Sequence, residues 1–146
     1  MISKKLSRLQ GLLQDGNCSF AICTNRNQIL QKVGIGVKPI MEMIREDYEA
    51  MQGAIVADKI IGKAAALLLV EAGVKEVYGE IMSETAQMVL DEYCVDYSYY
   101  TMVPYIANRT QDGMCPLEFC VKFIHRPEDA RAAVEHQIQL LMQSKK

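Results

Sequence analysis

The sequence is poor in the residues from which metal sites are usually built. It has only two histidines, His125 and His136, and no tryptophan. Its five cysteines are Cys18, Cys23, Cys94, Cys115 and Cys120. They form no Cys-x-x-Cys pair, and an odd number of scattered thiols is typical of reduced cysteines in a cytoplasm. Neither a zinc ribbon nor a histidine triad can be assembled from these spacings, so we expect no metal site and no zinc cofactor.

Long apolar runs and an excess of one charge are also absent. The longest uninterrupted apolar run spans residues 64–70, whereas a membrane-spanning helix needs roughly 20 such residues. Near the N-terminus, Ser7 and Gln10 interrupt the apolar core that a signal peptide requires. The formal net charge of -2 gives no general attraction to nucleic acid or anionic lipid. We therefore expect a cytoplasmic protein with no membrane partner and no general nucleic-acid binding.

The apolar content is sufficient for one substantial core. The chain has 146 residues and is 50% hydrophobic, which predicts a single domain over residues 1–146. Its strongest pattern lies between Gly53 and Gly73, where residues 54–57 are predicted as a buried strand and residues 60–72 as a helix. That helix is apolar on nearly every face, so other layers must cover it. Asp58 and Lys59 are predicted to form the polar corner between strand and helix.

The remaining segments alternate between strand and helix patterns. Helices are predicted at 3–13, from Pro39, and at 83–93, 116–124 and 127–143, and strands at 20–24, 28–33, 74–81 and 96–103. The first two strands flank a polar turn and predict an antiparallel hairpin, whereas the later alternation predicts parallel strands joined by crossovers. We expect an α/β protein, a three-layer α-β-α sandwich with a mixed five-stranded sheet. A ligand site is expected where the parallel strands end.

Three sequence motifs carry a resemblance to known proteins. They are GVKPIMEMI, GAIVADKIIGKAAALLLVEAGVKEVY and VPYIANRTQDGMCPLE. The order of elements resembles the cytidine deaminase-like fold, and the motifs resemble a small bacterial domain-of-unknown-function family with that fold, over about residues 18–124. Deaminases hold zinc with His-x-Glu or Cys-x-Glu at one helix start and Pro-Cys-x-x-Cys at the next. The corresponding residues here, 37–40 and 57–61, contain no such ligand set, so the resemblance implies the fold and the site location without zinc.

Two lysines at the predicted start of the central helix suggest an anion site. Lys59 and Lys63 are four residues apart, which would place them on one helix face near the positive end of the helix dipole. The positive end of a helix dipole disfavours cations, and a bound anion would offset this repulsion. Free backbone N–H groups and two ammonium groups would then form a phosphate-binding site. Asp58 would cap the helix or bind a ribose hydroxyl. The alternative is that Asp58 caps the helix, Lys59 pairs with it and Lys63 extends to solvent.

Further ligand-binding candidates follow the other two parallel strands. Ser83 could donate its hydroxyl to the same ligand, although a helix N-cap explains it equally well. Asn108 and Arg109 lie in a polar loop, and the arginine side chain is a planar donor suited to phosphate or carboxylate. A solvated surface arginine is the alternative.

Cys115 and Glu118 are the candidate catalytic residues. Cys115 precedes Pro116 and is therefore expected at a helix N-terminus, where the dipole makes a thiolate a better nucleophile. Glu118 lies one turn further on and could act as a base. A local capping arrangement explains the same spacing.

The leading hypothesis is a zinc-free deaminase-fold protein that binds a nucleotide-like or other phosphorylated small molecule, with a nucleotide as the possible bound cofactor. In the enzyme alternative, Cys115 performs nucleophilic transfer or hydrolysis on such a ligand. The third hypothesis is a structural homo-oligomer in which apolar helices and tyrosines form the subunit contacts.

Overall fold

The structure, a computed structural model, describes residues 3–108 and 113–143. The helices are α1 (Lys4–Gln14), α2 (Lys38–Asp47), α3 (Lys63–Glu71), α4 (Glu84–Glu92), α5 (Pro116–Cys120) and α6 (Pro127–Gln143). The strands are β1 (Phe20–Cys23), β2 (Ile29–Lys32), β3 (Ile55–Ile61), β4 (Glu76–Ser83) and β5 (Asp96–Val103), and a short 3-10 turn spans Tyr48–Met51. Over these described ranges, no helix combines the length and apolar character needed to cross a bilayer.

The five strands form one mixed sheet in the order β2-β1-β3-β4-β5. β1 pairs antiparallel with both β2 and β3, which matches the antiparallel pair expected from residues 20–33. β3, β4 and β5 are parallel neighbours, as the alternation of strand and helix patterns predicts. Their carboxyl ends therefore meet at one edge of the sheet, and α3 and α4 both begin there.

Successive side chains of a strand point to opposite faces of the sheet, and helices cover both faces. On one face, Leu6 and Leu9 of α1 join a small core with Ala21 and Ala57. The neighbouring strand residues, such as Phe20, contribute to a larger core on the opposite face with α2, α3, α4 and α6. Six consecutive residues of α3, Ala64 to Leu69, are buried. The prediction of a helix covered on nearly every side is therefore confirmed.

The predicted boundary between β3 and α3 is wrong. Asp58 and Lys59 are not a corner but lie inside β3, which continues to Ile61. Ile60 and Ile61 keep the chain extended because β-branched side chains favour strands and because these residues pair with Ile81 and Met82 of β4. The helix starts only at Lys63, with Gly62 as its N-cap.

Other predicted boundaries lie close to the observed ones. β5 has the predicted bounds, Asp96–Val103, and Ser83 is the N-cap of α4. Gly73 ends α3 with a φ of 81°, a conformation that glycine adopts without a Cβ clash. α5 is shorter than predicted, because turn hydrogen bonds from Lys122 N to Phe119 O and from Ile124 N to Val121 O replace the helical ones.

Candidate functional site

A cleft runs along α4, from its first turn at the carboxyl edge of the parallel strands to its last residue, and the start of α3 and the segments that follow β5 and α5 complete its lining. Its main part has a volume of about 300 Å³, and a smaller part of about 60 Å³ adjoins it. Lys63, Thr85 and Lys122 line both parts. Met88, Val89, Ile124, Glu92 and His125 line only the main part, whereas Tyr105, Met114 and Glu118 line only the smaller one. We call this site the α3–α4 cleft.

Two lysine side chains, Lys63 and Lys122, line the α3–α4 cleft together with two carboxylates, Glu92 and Glu118. Lys63 Nζ donates a hydrogen bond to Lys122 O at 2.9 Å, which leaves two of its three donor positions for other partners. Burial lowers the pKa of Lys63, although the nearby Glu118 carboxylate raises it. Lys122 Nζ lies 6.0 and 5.7 Å from the ring centres of Phe119 and Phe123. Within residues 3–108 and 113–143, neither ammonium forms an ion pair within 4.0 Å.

The N-terminus of α3 is capped by a carboxylate from a distant part of the chain. Glu118 Oε1 accepts a hydrogen bond from Lys63 N at 2.7 Å, and its Oε2 accepts one from Ala64 N at 2.9 Å. Helix N-termini leave such N–H groups without intrahelical partners, and they favour negative charge. Glu118 is only 6% exposed, and burial raises its pKa while the two N–H groups and Lys63 lower it. The carboxylate thus serves as an internal anion for this helix.

Gly62 makes this arrangement possible. A Cβ at Gly62 would lie 2.0 Å from Glu118 Oε1 and 2.4 Å from its carboxyl carbon. Only glycine lets the carboxylate approach the backbone so closely. The sequence gives one indication of this cap. Gly62, directly before the apolar helix, has no side chain that could cap it, so a cap has to come from another residue.

The predicted anion cradle formed by Lys59, Lys63 and the α3 backbone is therefore wrong in its geometry. Lys59 belongs to β3, where its backbone N–H donates to Ser19 O at 3.0 Å, and it does not line the cleft. Lys63 does line the cleft, but Glu118 occupies the N–H groups of Lys63 and Ala64.

Asp58 does not cap α3, which corrects the second part of that prediction. It is 3% exposed, and among the described residues the only polar groups that lower the pKa of its carboxyl group are the nearby backbone N–H groups of Ile60 and Lys59. Its Oδ2 atom has no hydrogen-bond partner. Burial raises the pKa of Asp58 from 3.8 to about 8, against the lowering effect of those two N–H groups.

Of the other residues predicted to bind ligand, neither Ser83 nor Asn108 lines the cleft. Ser83 is fully buried, and its Oγ accepts from Ala86 N at 3.0 Å, so its capping role is confirmed. Thr85, whose Oγ1 lies 2.9 Å from Ser83 Oγ, lines the cleft instead. Asn108 N donates to Gly113 O at 2.9 Å, and Arg109 lies outside the described residues. Sequence reasoning missed Thr85 and Lys122, which no local motif distinguishes.

Cys115 is at the N-cap of α5, as predicted, but its side chain makes no capping hydrogen bond. Both oxygens of Glu118 accept from α3, so this carboxylate is not positioned as a base for Cys115. Cys120 Sγ donates to Leu117 O at 3.0 Å, and burial raises the pKa of this thiol to about 11. These contacts favour a structural role for the α5 segment.

The two segments that the resemblance compares with the deaminase zinc motifs, residues 37–40 and 57–61, contain no histidine or cysteine. α2 begins at Lys38 after Val37, and α3 begins at Lys63 after Gly62. In the parts of the chain that the structure describes, no group of three or more His, Cys, Asp or Glu side chains could hold a metal ion.

Comparisons with known proteins place the chain in a family. No curated protein matches it. A crystal structure of a DUF1893 family protein (TM1506) from Thermotoga maritima is similar, with a TM-score of 0.83 and 25% sequence identity over 94% of this chain and 92% of that chain. A sequence profile described as TM1506, a domain of unknown function (DUF1893), matches residues 8–138. Because that match covers most of its length, the chain belongs to the DUF1893 family.

Proposed function

We propose that the protein binds a nucleotide-like or other phosphorylated small molecule in the α3–α4 cleft. The observation that carries this proposal is the convergence of two lysines and a hydroxyl, Lys63, Lys122 and Thr85, on one cavity. Ammonium groups without carboxylate partners bind phosphate oxygens through charge-assisted hydrogen bonds. A site at the carboxyl ends of parallel strands is also the usual ligand position in α/β proteins.

The non-phosphate part of the ligand would fill the main part of the cleft. Its volume of about 300 Å³ is at the lower end of small-molecule sites. Met88, Val89 and Ile124 offer an apolar surface for a planar ring, while Glu92 and His125 offer hydrogen-bonding groups. The presence of apolar side chains beside the two lysines supports a phosphorylated ring compound over inorganic phosphate alone.

The fold is proposed to be cytidine deaminase-like. The strand order and the three parallel strands support this assignment. At the start of α3, where deaminases bind zinc, the backbone N–H groups of Lys63 and Ala64 instead donate to the Glu118 carboxylate. Zinc chemistry therefore enters no part of the proposed function.

Metal analysis of the purified protein tests this point. We expect no stoichiometric zinc, because neither helix start supplies a ligand set. One tightly bound zinc per chain would contradict our description of both helix starts.

Lysine variants test the binding proposal. We expect Lys63→Met and Lys122→Met each to weaken binding of nucleoside phosphates by about tenfold to a hundredfold, since one charge-assisted contact is worth roughly 1.5 to 3 kcal/mol. Methionine keeps the apolar stem of either lysine, and at Lys63 in α3 it also keeps the helix propensity, which separates loss of charge from loss of packing. Titration calorimetry with nucleoside phosphates, sugar phosphates and phosphate-free nucleosides measures the effect.

Lys59→Met is the matched control. It makes the same substitution on a lysine four residues from Lys63 that does not line the cleft. We expect this variant to bind as the parent does. Equal losses in Lys59→Met and Lys63→Met, or a parent protein that binds no member of the panel, would refute the proposal.

A further inference from the structure

β5 is an edge strand of the sheet, and one of its two hydrogen-bonding sides has no neighbouring strand among the described residues. β4 pairs with one side of it, and among the described residues no strand pairs with the other. The backbone N–H and C=O groups on that outer side therefore lack sheet partners. Such an edge is a template for pairing with another strand.

The edge of β5 carries none of the usual features that prevent pairing. Residues 96–103 contain no lysine, arginine or proline, and the register with β4 keeps the same offset from Glu76–Asp96 to Ser83–Val103. In contrast, β2 at the opposite edge has only four residues and ends at Lys32, whose ammonium pairs with Glu42 and Glu46. Short length and a terminal lysine protect an edge, and β5 has neither.

The position of β5 is also fixed before any partner binds. α4 packs on one face of the strand, where Gln87 Nε2 donates to Tyr97 Oη at 2.9 Å. Tyr100 is 80% exposed at the middle of the strand. A rigid edge with exposed tyrosines loses little conformational freedom on association.

We propose that β5 pairs antiparallel with β5 of a second copy, across a two-fold axis beside Tyr99 and Tyr100. The strand is self-complementary in this arrangement. Its only charge, Asp96, is at the first position, so antiparallel pairing places the two aspartates at opposite ends of the junction. The tyrosines of the two copies meet near the axis, where aromatic cross-strand pairs are favourable. The two five-stranded sheets then form one continuous sheet.

This inference goes beyond the proposed ligand site, because no residue of β5 lines the α3–α4 cleft. Sedimentation equilibrium of the full chain at micromolar concentrations tests it. We expect the parent to be a dimer and Tyr100→Lys to raise the dissociation constant at least about tenfold, since it brings two ammonium groups opposite or diagonally across the axis.

Phe123→Lys is the matched control, because Phe123 is an aromatic residue that is also 80% exposed but lies after α5. We expect it to dimerise as the parent does. Circular dichroism reports whether each variant folds, and Thr101→Lys, at another exposed position of β5, replaces Tyr100→Lys if that variant does not. A monomeric parent, a fully dimeric β5 variant, or equal dissociation of the β5 variant and Phe123→Lys would overturn the proposal.

Discussion

Gly62→Ala is expected to lower the free energy of unfolding by about 2 to 4 kcal/mol, because the new Cβ displaces the Glu118 carboxylate from its two hydrogen bonds. That Cβ would lie 2.0 Å from Glu118 Oε1, and the carboxylate is buried, so it cannot move aside into water without loss of contacts. Two N–H groups of α3 and one carboxylate would lose their partners together. Urea denaturation followed by circular dichroism measures the change.

Gly11→Ala is the control for this experiment. Gly11 lies inside α1, and nothing is within 4 Å of a Cβ built there. Alanine favours a helix interior over glycine, so this variant should gain roughly 0.5 to 1 kcal/mol. Gly62→Ala and Glu118→Ala should also be non-additive, because the shorter side chain removes the clash. Additive losses, or a neutral Gly62→Ala, would contradict the cap.

The second large effect is a loss of stability as pH rises from about 4 to about 8, caused by the buried carboxyl of Asp58. Burial raises the pKa of Asp58 from 3.8 to about 8, and its Oδ2 has no partner. The folded state therefore holds a proton that the unfolded state has released throughout this interval. Each pH unit between the two pKa values costs about 1.4 kcal/mol of unfolding free energy.

The sign of this effect is opposite to that of a carboxylate stabilised by a salt bridge. Below pH 3.8 the Asp58 carboxyl is protonated in both the folded and the unfolded state, so its burial carries no penalty for ionisation. The loss of unfolding free energy grows as pH rises from 3.8 towards about 8, and it is constant above that value. Other groups also titrate in this interval, so the contribution of Asp58 must be isolated.

Asp58→Asn isolates the contribution of Asp58 to the pH dependence of stability, because the amide has a similar shape and no charge at any of these pH values. The stability difference between variant and parent should shift in favour of the variant as pH rises to about 8, and then become constant. Denaturation curves at intervals across this range provide the measurement. A difference that does not change with pH would show that Asp58 has a similar pKa in the folded and unfolded chains.

Local sequence patterns predict the parts of the fold that depend on neighbouring residues. β5 and the Ser83 cap follow from alternation and from capping chemistry within a few residues. The start of α3 could not be predicted in the same way. Asp58 and Lys59 are typical of a corner, but pairing of Ile60 and Ile61 with β4 extends the strand through them.

The candidate site depends on contacts between distant segments, which explains why only part of it was predicted. Lys63 was identified from its place near a helix start. Glu118 lies 55 residues after Lys63, and the carbonyl of Lys122 lies 59 residues after it. A carboxylate three residues after a helix N-cap predicts a local capping bond, and nothing in the sequence redirects it to α3.

The central claim is that a phosphorylated ligand binds beside Lys63 and Lys122 while Glu118 stays at the start of α3. Its most direct test is a crystal structure of the protein grown with the nucleoside phosphate that binds most tightly in the calorimetric panel. We predict phosphate oxygens at about 3 Å from Lys63 Nζ and Lys122 Nζ, with the Glu118 hydrogen bonds to Lys63 N and Ala64 N intact. A phosphate bound to those two N–H groups with Glu118 displaced, or a ligand bound away from the α3–α4 cleft, would contradict this account.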